Sequence, residues 1–478
     1  MDLCNYIGGE FVCHSGAEWV NVLEPATGHR FARAPLSGEH DVGDAVSAAR
    51  QAQPAWGALS HSERADWLDR IADALEARYE DVAALESRDT GKPISLARDV
   101  DAQRSVSNFR FFAGMLREHE GEVFEMASAT NYVVHKPVGV GALITPWNLP
   151  LYLLSWKVAP AIGMGNTVVC KPSELTPMTA DLLMRVIDEV GLPAGVVNLV
   201  HGDGAGAGAP LVAHSDVDLV SFTGGTSTGE KVAASAAPVF KKLSLELGGK
   251  NASIVFADCD MESTVAGVVR AGFLNQGQVC LCGSRVLVED SIYDEFRDRF
   301  IDAVEAMRVG DPSDETTDLG ALISGRHLEK VQGYVELAKQ EGGSLLTGGT
   351  PCMPTGFEHG NWMAPTVIEG LSPDSRCSTE EIFGPVVTLH PFSSEDEAVA
   401  IANNTRYGLA GSVWTGDLER GKRVSEAIET GMVWVNTWLH RDLRVPFGGV
   451  KDSGVGREGG KWSLGFFSEA MNVCVKHD

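Results

Sequence analysis

Apolar residues recur at helical spacing in the part of the chain that precedes residue 120. Within residues 64–77 they mark one face of a predicted helix, at Trp67, Leu68, Ile71, Ala74 and Leu75. A stripe that repeats every three or four residues is typical of a helix packed on a core. Similar spacing predicts helices at residues 42–50 and 99–117, so residues 38–120 are expected to be mainly helical.

Between residues 131 and 247, short apolar runs alternate with stretches of helical spacing. The predicted strands are 131–137, 138–144, 167–170, 196–200, 219–222 and 243–247, and the predicted helices are 153–162, 179–190 and 206–214. This alternation indicates a parallel, doubly wound α/β sheet. Ligands of such sheets bind at the carboxyl ends of the strands, so polar residues directly after these strands are candidates for a site.

A second α/β region is expected from about residue 252 to 448. Its predicted strands lie near 252–256, 285–289, 386–389, 411–415 and 432–436. Residues 471–477 alternate like one more strand. Because a lone terminal strand needs an edge to pair with, we expect it to pair with the strand near residue 132 or to contact a second subunit.

The composition, 44% apolar and 22% charged over 478 residues, is that of a globular protein with roughly two to four domains. The net charge is −26. Such a charge repels phosphate backbones, so we expect no nucleic-acid partner. It would also repel an anionic substrate unless basic residues are placed locally to hold it.

The N-terminal residues lack the basic and apolar segments of a signal peptide, and the most apolar stretch, Val138–Ile144, is too short to span a bilayer. The nine cysteines are scattered. Only Cys280 and Cys282 are close, at a spacing typical of neither redox nor zinc motifs. We therefore expect reduced thiols, a cytoplasmic location, no membrane association and no metal site.

Two polar segments follow neighbouring predicted strands. The first ends at Asn148, whose side-chain amide could donate to a developing oxyanion; a plain turn is the alternative. In the second, Lys171 and Glu174 could bracket a ribose, and an acidic residue there favours NAD over NADP. The alternative is that Ser173 or Thr176 caps the helix that follows.

Residues 222–229 form a glycine-rich turn after a predicted strand and before a predicted helix. Such a turn can present backbone N–H groups to a pyrophosphate. It does not have the spacing Gly-x-Gly-x-x-Gly, and the glycine-rich stretch Gly202–Gly208 does not have it either.

Cys280 and Glu246 are candidates for covalent chemistry. A thiolate is a strong nucleophile toward carbonyls, and a carboxylate can activate water. The alternatives are a buried structural thiol and a surface carboxylate. Glu246, however, lies among leucines at a strand end, where a charged residue is unusual.

Seven short motifs occur in one order along the chain: Pro146–Asn148, Lys171–Glu174, Phe222–Gly225, Glu246–Lys250, Gln276–Cys280, Glu381–Pro385 and Pro446–Lys451. Their order and spacing resemble the aldehyde dehydrogenase superfamily over essentially the whole chain. The resemblance implies a Rossmann-like NAD-binding domain at residues 1–119 and 138–248 and an α/β catalytic domain at 249–450. It also implies a small bridging β-sheet from residues 120–137 and 451–478, built for homo-oligomers, either dimers or tetramers.

The resemblance also implies a role for individual residues. Cys280 is expected to be the nucleophile, Glu246 the general base, and Asn148, with the backbone N–H of Cys280, the oxyanion hole. Contacts with NAD are expected at Thr145, Pro146, Trp147, Lys171, Ser173, Glu174, Gly204, Phe222, Gly224, Gly225, Leu247, Glu381 and Phe383. Gly225 stands where many members carry Ser, which removes one hydroxyl near the pyrophosphate.

The reaction implied by these roles is the oxidation of an aldehyde to a carboxylic acid through a Cys280 thiohemiacetal and thioester. Retention of Glu246 favours hydrolysis over the acylating, CoA-dependent branch of the superfamily. A catalytically silent binding protein of the same fold is the non-enzyme alternative. It requires a broken catalytic set, whereas Cys280, Glu246 and Asn148 are all present.

Within the superfamily, the segments Cys280–Arg285, Trp438–Gly449 and Cys474–His477 resemble the 2-aminomuconate and 2-hydroxymuconate 6-semialdehyde dehydrogenases. Their substrates carry an aldehyde at one end and a carboxylate at the other. Arg441 and Arg98 fall where this fold lines its substrate pocket.

An arginine can bind a carboxylate through two parallel hydrogen bonds, so Arg441 and Arg98 are the predicted substrate contacts. Arg104 and Arg444 are further candidates. Surface salt bridges with Asp99 or Asp442 are the alternative. A broader-specificity enzyme acting on an aliphatic aldehyde, retinal or betaine aldehyde also remains open, although paired arginines disfavour the cationic betaine aldehyde.

Overall fold

The computed structural model describes residues 1–13 and 18–477. Its N-terminal part contains two antiparallel hairpins followed by helices. The elements are β1 (Asn5–Ile7), β2 (Glu10–Val12), β3 (Trp19–Leu23), β4 (Arg30–Pro35), α1 (Glu39–Gly57), α2 (His61–Glu76), α3 (Tyr79–Thr90), α4 (Ile94–Leu96) and α5 (Gln103–Arg117). A π-helical turn, residues 97–102, precedes α5. The predicted helical character of residues 38–120 is confirmed.

The middle of the chain alternates strands and helices, as the apolar pattern predicts. Its elements are β5 (Val123–Met126), β6 (Ala129–Pro137), β7 (Val140–Ile144), α6 (Pro150–Gly163), β8 (Thr167–Lys171), α7 (Met178–Glu189), β9 (Val197–Leu199), α8 (Ala209–Ala213), β10 (Leu219–Thr223), α9 (Thr226–Ala236) and β11 (Lys242–Glu246). The first half of the predicted helix 206–214 is a π-helical turn at 204–208.

The C-terminal part completes the second α/β region. Its elements are β12 (Ala252–Val255), α10 (Met261–Phe273), β13 (Arg285–Glu289), α11 (Tyr293–Glu305), α12 (Gly325–Gln340), β14 (Ser344–Thr347), β15 (Thr366–Glu369), α13 (Arg376–Thr379), β16 (Val386–Phe392), α14 (Glu395–Asn403), β17 (Tyr407–Gly408), β18 (Ala410–Trp414), α15 (Leu418–Ala427), β19 (Met432–Val435), β20 (Val450–Lys451), β21 (Gly454–Val455), α16 (Gly460–Phe466) and β22 (Ser468–Lys476).

Within the described residues, eight strands form the first sheet, in the order β2-β1-β9-β8-β7-β10-β11-β21. The central strands β9, β8, β7, β10 and β11 are parallel. From β7 the chain proceeds to β8 and β9 on one side, and then crosses to β10 and β11 on the other. The strand order therefore reverses between β7 and β10, and ligands of doubly wound sheets bind at such a point.

The second sheet has seven strands in the described chain, in the order β14-β15-β16-β13-β12-β18-β19. All neighbours except β14 and β15 run parallel. Its central strands are apolar on both faces, as in Val286, Leu287 and Val288 of β13, each fully buried. Such runs are typical of a parallel sheet covered on both sides.

A third, antiparallel sheet consists of β22, β6 and β5 among the described residues. The last strand pairs with β6 along its whole length, with Val473 opposite Tyr132. The predicted pairing of the C-terminal strand with the strand near residue 132 is therefore confirmed. Several apolar side chains of this sheet are exposed, among them Val123, Phe124, Met126 and Val475.

The expectation that the cysteines are all reduced is wrong for one pair, because Cys4 and Cys13 form a disulfide. The two residues flank the β1–β2 hairpin, in which Asn5 lies opposite Val12. This register brings their Cα atoms to 4.8 Å, within the range that a disulfide requires. Separately, none of the helices in the described ranges combines the length and apolar character needed to cross a membrane.

Candidate active site

A cavity of about 610 Å³ lies between the first and second sheets. The turn after β7, the turn after β10 and the end of β11 contribute Asn148, Gly224 and Glu246 to its wall. The region of the second sheet contributes Cys280 and Glu381. The cavity therefore opens at the point where the strand order reverses and brings together five residues that are distant in sequence.

Cys280 is partly exposed at the wall of this cavity. It follows a 3₁₀ turn, residues 274–277, in which Asn275 and Gln276 both adopt left-handed backbone angles. Burial raises the pKa of the Cys280 thiol, and the carboxyl groups of Glu246 and Glu381 raise it further. A thiol in this position needs a base, or a nearby positive charge, before it can act as a thiolate.

The Asn148 side chain is buried, and its amide nitrogen faces the segment that carries Cys280. Nδ2 donates to the main-chain oxygen of Gln278 at 3.0 Å. Because a carboxamide has two N–H bonds, this contact orients the group and leaves one hydrogen for another acceptor.

Glu246 ends β11 and is 4% exposed. Neither of its carboxylate oxygens has a hydrogen-bond partner in the described part of the chain. Gly448 passes so close that a Cβ atom there would lie 2.7 Å from Oε1 of Glu246. Burial and the nearby Glu458 carboxylate raise the pKa of Glu246 well above its usual range, and Lys157 opposes this shift. The group is thus a buried carboxyl that can exchange a proton.

Lys157 and Glu458 form a buried pair beside Glu246. Nζ of Lys157 donates to Oε1 of Glu458 at 2.8 Å and to Oγ of Ser221 at 2.8 Å. Sequence analysis missed both residues. A lysine within the apolar helix α6 was the available signal, because lysine is almost never fully buried without a partner.

Glu381, Phe383 and Trp147 line the same cavity. Oε1 of Glu381 accepts a hydrogen bond from the backbone N–H of Gly249 at 2.9 Å. Phe383 has a left-handed backbone conformation, and its ring meets that of Trp147 edge to face at 5.4 Å. His327 Nε2 lies 2.6 Å from the main-chain oxygen of Phe383. The strained backbone of Phe383 is therefore held by His327, while its ring is held by Trp147.

Lys171 and Glu174, which are predicted to bracket a ribose, lie outside that cavity but close to each other. Nζ of Lys171, at the end of β8, is 3.4 Å from Oε2 of Glu174. The side chain of Lys171 approaches the π-helical turn that begins at Gly204. Thr145, Ser173 and Phe222 belong to the same strand-end turns and strands but do not line the cavity.

Neither Ser173 nor Thr176 caps α7, so that alternative is wrong. The helix begins after Pro177 without a side-chain cap, and the buried carboxylate of Asp89 accepts from the Met178 N–H at 3.0 Å. Gly225 precedes the N-terminus of α9 without a capping side chain, and a Cβ there would meet nothing within 4 Å. A helix N-terminus without a capping side chain, at the same edge of the sheet as Lys171 and the partly exposed Glu174, fits the pyrophosphate and ribose of a dinucleotide.

Arg441 and Arg104 line the cavity on the side of Tyr152. Nη1 of Arg441 donates to the Tyr152 hydroxyl at 2.7 Å, while its buried Nε and Nη2 have no partner among the described residues. The Arg441 guanidinium packs over the rings of Trp156 and Phe447, at 4.6 and 4.1 Å. Arg104 lies over the Tyr152 ring at 5.6 Å, and burial lowers its pKa. Two partly buried cations without an ion-pair partner in the described chain favour an anionic ligand.

The structure does not bring Arg98 to the cavity. Its Nε donates to Glu80 at 3.1 Å and its Nη1 to Glu315 at 2.9 Å. The alternative of a surface salt bridge is therefore correct for Arg98, although its partners are Glu80 and Glu315 and not Asp99 or Asp442. The π-helical turn at 97–102 explains the error, since it changes which residues share a face with α5. Arg444 likewise pairs with Asp442 on the surface.

Comparisons with known proteins agree with this geometry. The model of the aldehyde dehydrogenase family matches residues 11–473. The 2-aminomuconic semialdehyde dehydrogenase of Danio rerio is 49% identical over 99% of this chain and 98% of its own length. The 2-hydroxymuconic semialdehyde dehydrogenase of Pseudomonas sp. (strain CF600) is 47% identical over 99% of both chains.

Solved structures share the fold over their full length. PnpE of Pseudomonas sp. WBC-3, solved in complex with nicotinamide adenine dinucleotide, has a TM-score of 0.97 at 42% identity and covers 100% of this chain and 98% of its own. Betaine aldehyde dehydrogenase of Staphylococcus aureus, in complex with NAD+, has a TM-score of 0.97 at 36% identity and covers 99% and 95%.

Proposed function

Because the chain belongs to the aldehyde dehydrogenase family, we propose that it oxidises a semialdehyde of the 2-amino- or 2-hydroxymuconate type to the dicarboxylic acid. The observation that carries the substrate class is that two partly buried arginines, Arg104 and Arg441, line the wall of the cavity that also holds Cys280, and that Nε and Nη2 of Arg441 have no partner among the described residues. Such a substrate has a carboxylate for the two arginines and an aldehyde for the thiol. Relatives with these substrates in their names support the assignment.

NAD, the cofactor of the family, supplies the acceptor for the hydride that leaves the aldehyde carbon. In our proposal Lys171 and Glu174 hold the adenosine ribose, and the free N-terminus of α9 after Gly225 holds the pyrophosphate. Glu381 holds the nicotinamide ribose, and the edge-to-face pair Trp147 and Phe383 confines the ring.

The first chemical step belongs to Cys280 and Asn148. The Cys280 thiol loses its proton to water, and the thiolate forms a C–S bond to the aldehyde carbon, which moves the carbonyl π electrons onto oxygen. The amide hydrogen of Asn148 that is not bonded to Gln278 donates to this oxyanion, together with the backbone N–H of Cys280. Departure of the hydride leaves a thioester on Cys280.

Glu246 acts in the second step. Its carboxylate, which accepts no hydrogen bond from the described residues, takes a proton from water, whose oxygen attacks the thioester carbon. The C–S bond breaks, the carboxylic acid leaves, and Cys280 is regenerated. Burial of Glu246 suits this role, because a deprotonated carboxylate whose pKa is raised binds a proton more strongly than an exposed carboxylate does.

We also propose that the protein is a homo-oligomer of the cytoplasm. The exposed apolar side chains of the β5–β6–β22 sheet support burial against a second copy. A cytoplasmic location is supported by the free Cys280 thiol, which the reaction needs in reduced form, while the Cys4–Cys13 disulfide counts against it.

The test is steady-state NADH formation with 2-hydroxymuconate 6-semialdehyde, set against hexanal, betaine aldehyde and retinal. The proposal predicts a clear preference in kcat/KM for the semialdehyde and loss of all turnover in Cys280→Ala. Equal kcat/KM on hexanal would remove the substrate class and leave the broader-specificity alternative.

A further inference from the structure

A cluster of buried charges lies directly beneath the turn that carries Asn148. It consists of Glu86 on α3, Lys92 in the loop after α3, and Asp101 in the π-helical turn. All three are fully buried. Burying three ionisable groups costs free energy unless each is paired, so the arrangement calls for a role beyond packing.

Lys92 joins this cluster to the main chain of Asn148. Its Nζ donates to Oδ2 of Asp101 at 2.8 Å and to the main-chain oxygen of Asn148 at 3.0 Å. A buried ammonium held by a carboxylate makes a short, charge-assisted hydrogen bond of well-defined direction. The Asn148 carbonyl is therefore held by a fully buried cation, separately from the contact that its side-chain amide makes with Gln278.

Two further contacts fix the same turn. Nδ2 of Asn275 donates to the Asn148 oxygen at 3.1 Å and also to the Gln278 oxygen at 3.2 Å. Oε1 of Glu86 accepts from the backbone N–H of Leu151 at 2.8 Å, at the start of α6. The turn is thus restrained on both sides of Asn148, and Asn275 ties it to the segment that leads to Cys280.

We propose that Lys92 is a positioning residue for the oxyanion hole: anchored by Asp101, its ammonium fixes the Asn148 carbonyl so that the amide of Asn148 points at the developing oxyanion. This inference rests on the proposed function, because it assigns Lys92 a task in aldehyde oxidation. Lys92 acts through Asn148 and does not touch the substrate. A misplacement of about 1 Å in a catalytic group can cost about 10²-fold in rate, so a rigid anchor has a measurable effect.

The test is a double-mutant cycle of Lys92→Met and Asn148→Ala, measured as kcat/KM for the aldehyde. Lys92→Met is expected to lower kcat/KM by roughly 10–100-fold in the wild-type background. In the Asn148→Ala background, where no amide is left to position, it should cost less than about threefold, because residues that act as a unit are not additive. Equal losses in both backgrounds, or no loss in the wild-type background, would overturn the proposal.

A matched control separates positioning from loss of stability. Asp89→Asn changes another fully buried carboxyl group that α3 supplies, but its partner is the Met178 N–H. Its effect should be the same in the wild-type and Asn148→Ala backgrounds, and coupling equal to that of Lys92→Met would overturn the proposal. If Lys92→Met does not fold, Asp101→Asn takes its place in the cycle with the same expected coupling.

The cycle also distinguishes this inference from the proposed function. A wild-type protein that forms no NADH from any of the aldehydes would remove the proposed function itself. A wild-type protein that is active and loses activity in Asn148→Ala, combined with additive effects of Lys92→Met, would remove only the role of Lys92.

Discussion

Arg441 donates a hydrogen bond to the hydroxyl oxygen of Tyr152 at 2.7 Å, and this contact leaves its Nε and Nη2 without a partner in the described residues. The tyrosine holds one side of the guanidinium while Trp156 and Phe447 cover its faces. The two free N–H groups are thereby oriented in advance, and such a fork matches the geometry of a carboxylate.

Replacement of Arg441 by Met should weaken the reaction with a semialdehyde selectively. We expect kcat/KM to fall roughly 10–100-fold, about 1.5–3 kcal/mol for a hydrogen bond to a charged group. The rate with hexanal, which has no carboxylate, should change little. Arg98→Met is the matched control, because Arg98 is engaged by Glu80 and Glu315 outside the cavity. An equal loss in both variants, or on both substrates, would contradict the assignment.

Arg104 should act on the same carboxylate as Arg441. Arg104→Leu is expected to lower kcat/KM for the semialdehyde in the same direction, with hexanal again little affected. Because both cations lie by Tyr152, the double variant should lose less than the product of the two single losses. Fully multiplicative losses would mean that the two arginines serve different groups.

The pH dependence of thioester hydrolysis should reflect the raised pKa of Glu246. Below that pKa the carboxyl carries a proton and cannot accept one from water, so the rate should rise with pH through it. Glu458→Gln removes a negative charge that raises the pKa of Glu246. The pH at which the hydrolysis rate rises should therefore move to a lower value in this variant.

The measurement is the single-turnover rate of hydrolysis of the acylated enzyme across the pH range. The control is Glu336→Gln, which removes a carboxylate from an exposed ion pair with Lys339 on α12. It should leave the pH at which the hydrolysis rate rises unchanged. A shift of this pH to a higher value in Glu458→Gln would show that Glu246 is not the titrating group.

Lys171 and Glu174 should govern the cofactor and not the aldehyde. Lys171→Met is expected to raise KM for NAD roughly 10–100-fold, since it removes a charged hydrogen-bond donor, with kcat nearly unchanged because the residue lies outside the cavity of Cys280.

Glu174→Gln should narrow the preference for NAD over NADP, because an acidic residue repels a 2′-phosphate. Steady-state kinetics with both nucleotides measure each effect, and an unchanged preference would contradict the role of Glu174.

Local patterns were sufficient to predict much of the fold. The alternation of short apolar runs with helices predicted the parallel strands β7 to β11, and polar residues after strand ends predicted where Asn148 and Glu246 meet. The reason is that the carboxyl ends of parallel strands lie at one edge of the sheet, whatever the conformation of the loops that follow them.

The remaining features depend on structure that local patterns do not encode. Arg104 reaches the cavity and Arg98 does not. The difference is due to the π-helical turn at 97–102, which helical periodicity does not predict. Glu458 meets Lys157 across 301 residues, and no spacing indicates such a pair. The Cys4–Cys13 disulfide did have a local signal, since Gly8-Gly9 between two short apolar runs indicates a hairpin that brings the flanking residues together.

The most direct test of the account is to trap the covalent intermediate in Glu246→Gln. With NAD and the semialdehyde, this variant should form about one NADH per active site and then stop, because oxidation can proceed but hydrolysis lacks its base. Mass spectrometry of the intact protein and its peptides should find the acyl group on Cys280. Sustained turnover, or an acyl group on Cys282 with Cys280 free, would contradict the account.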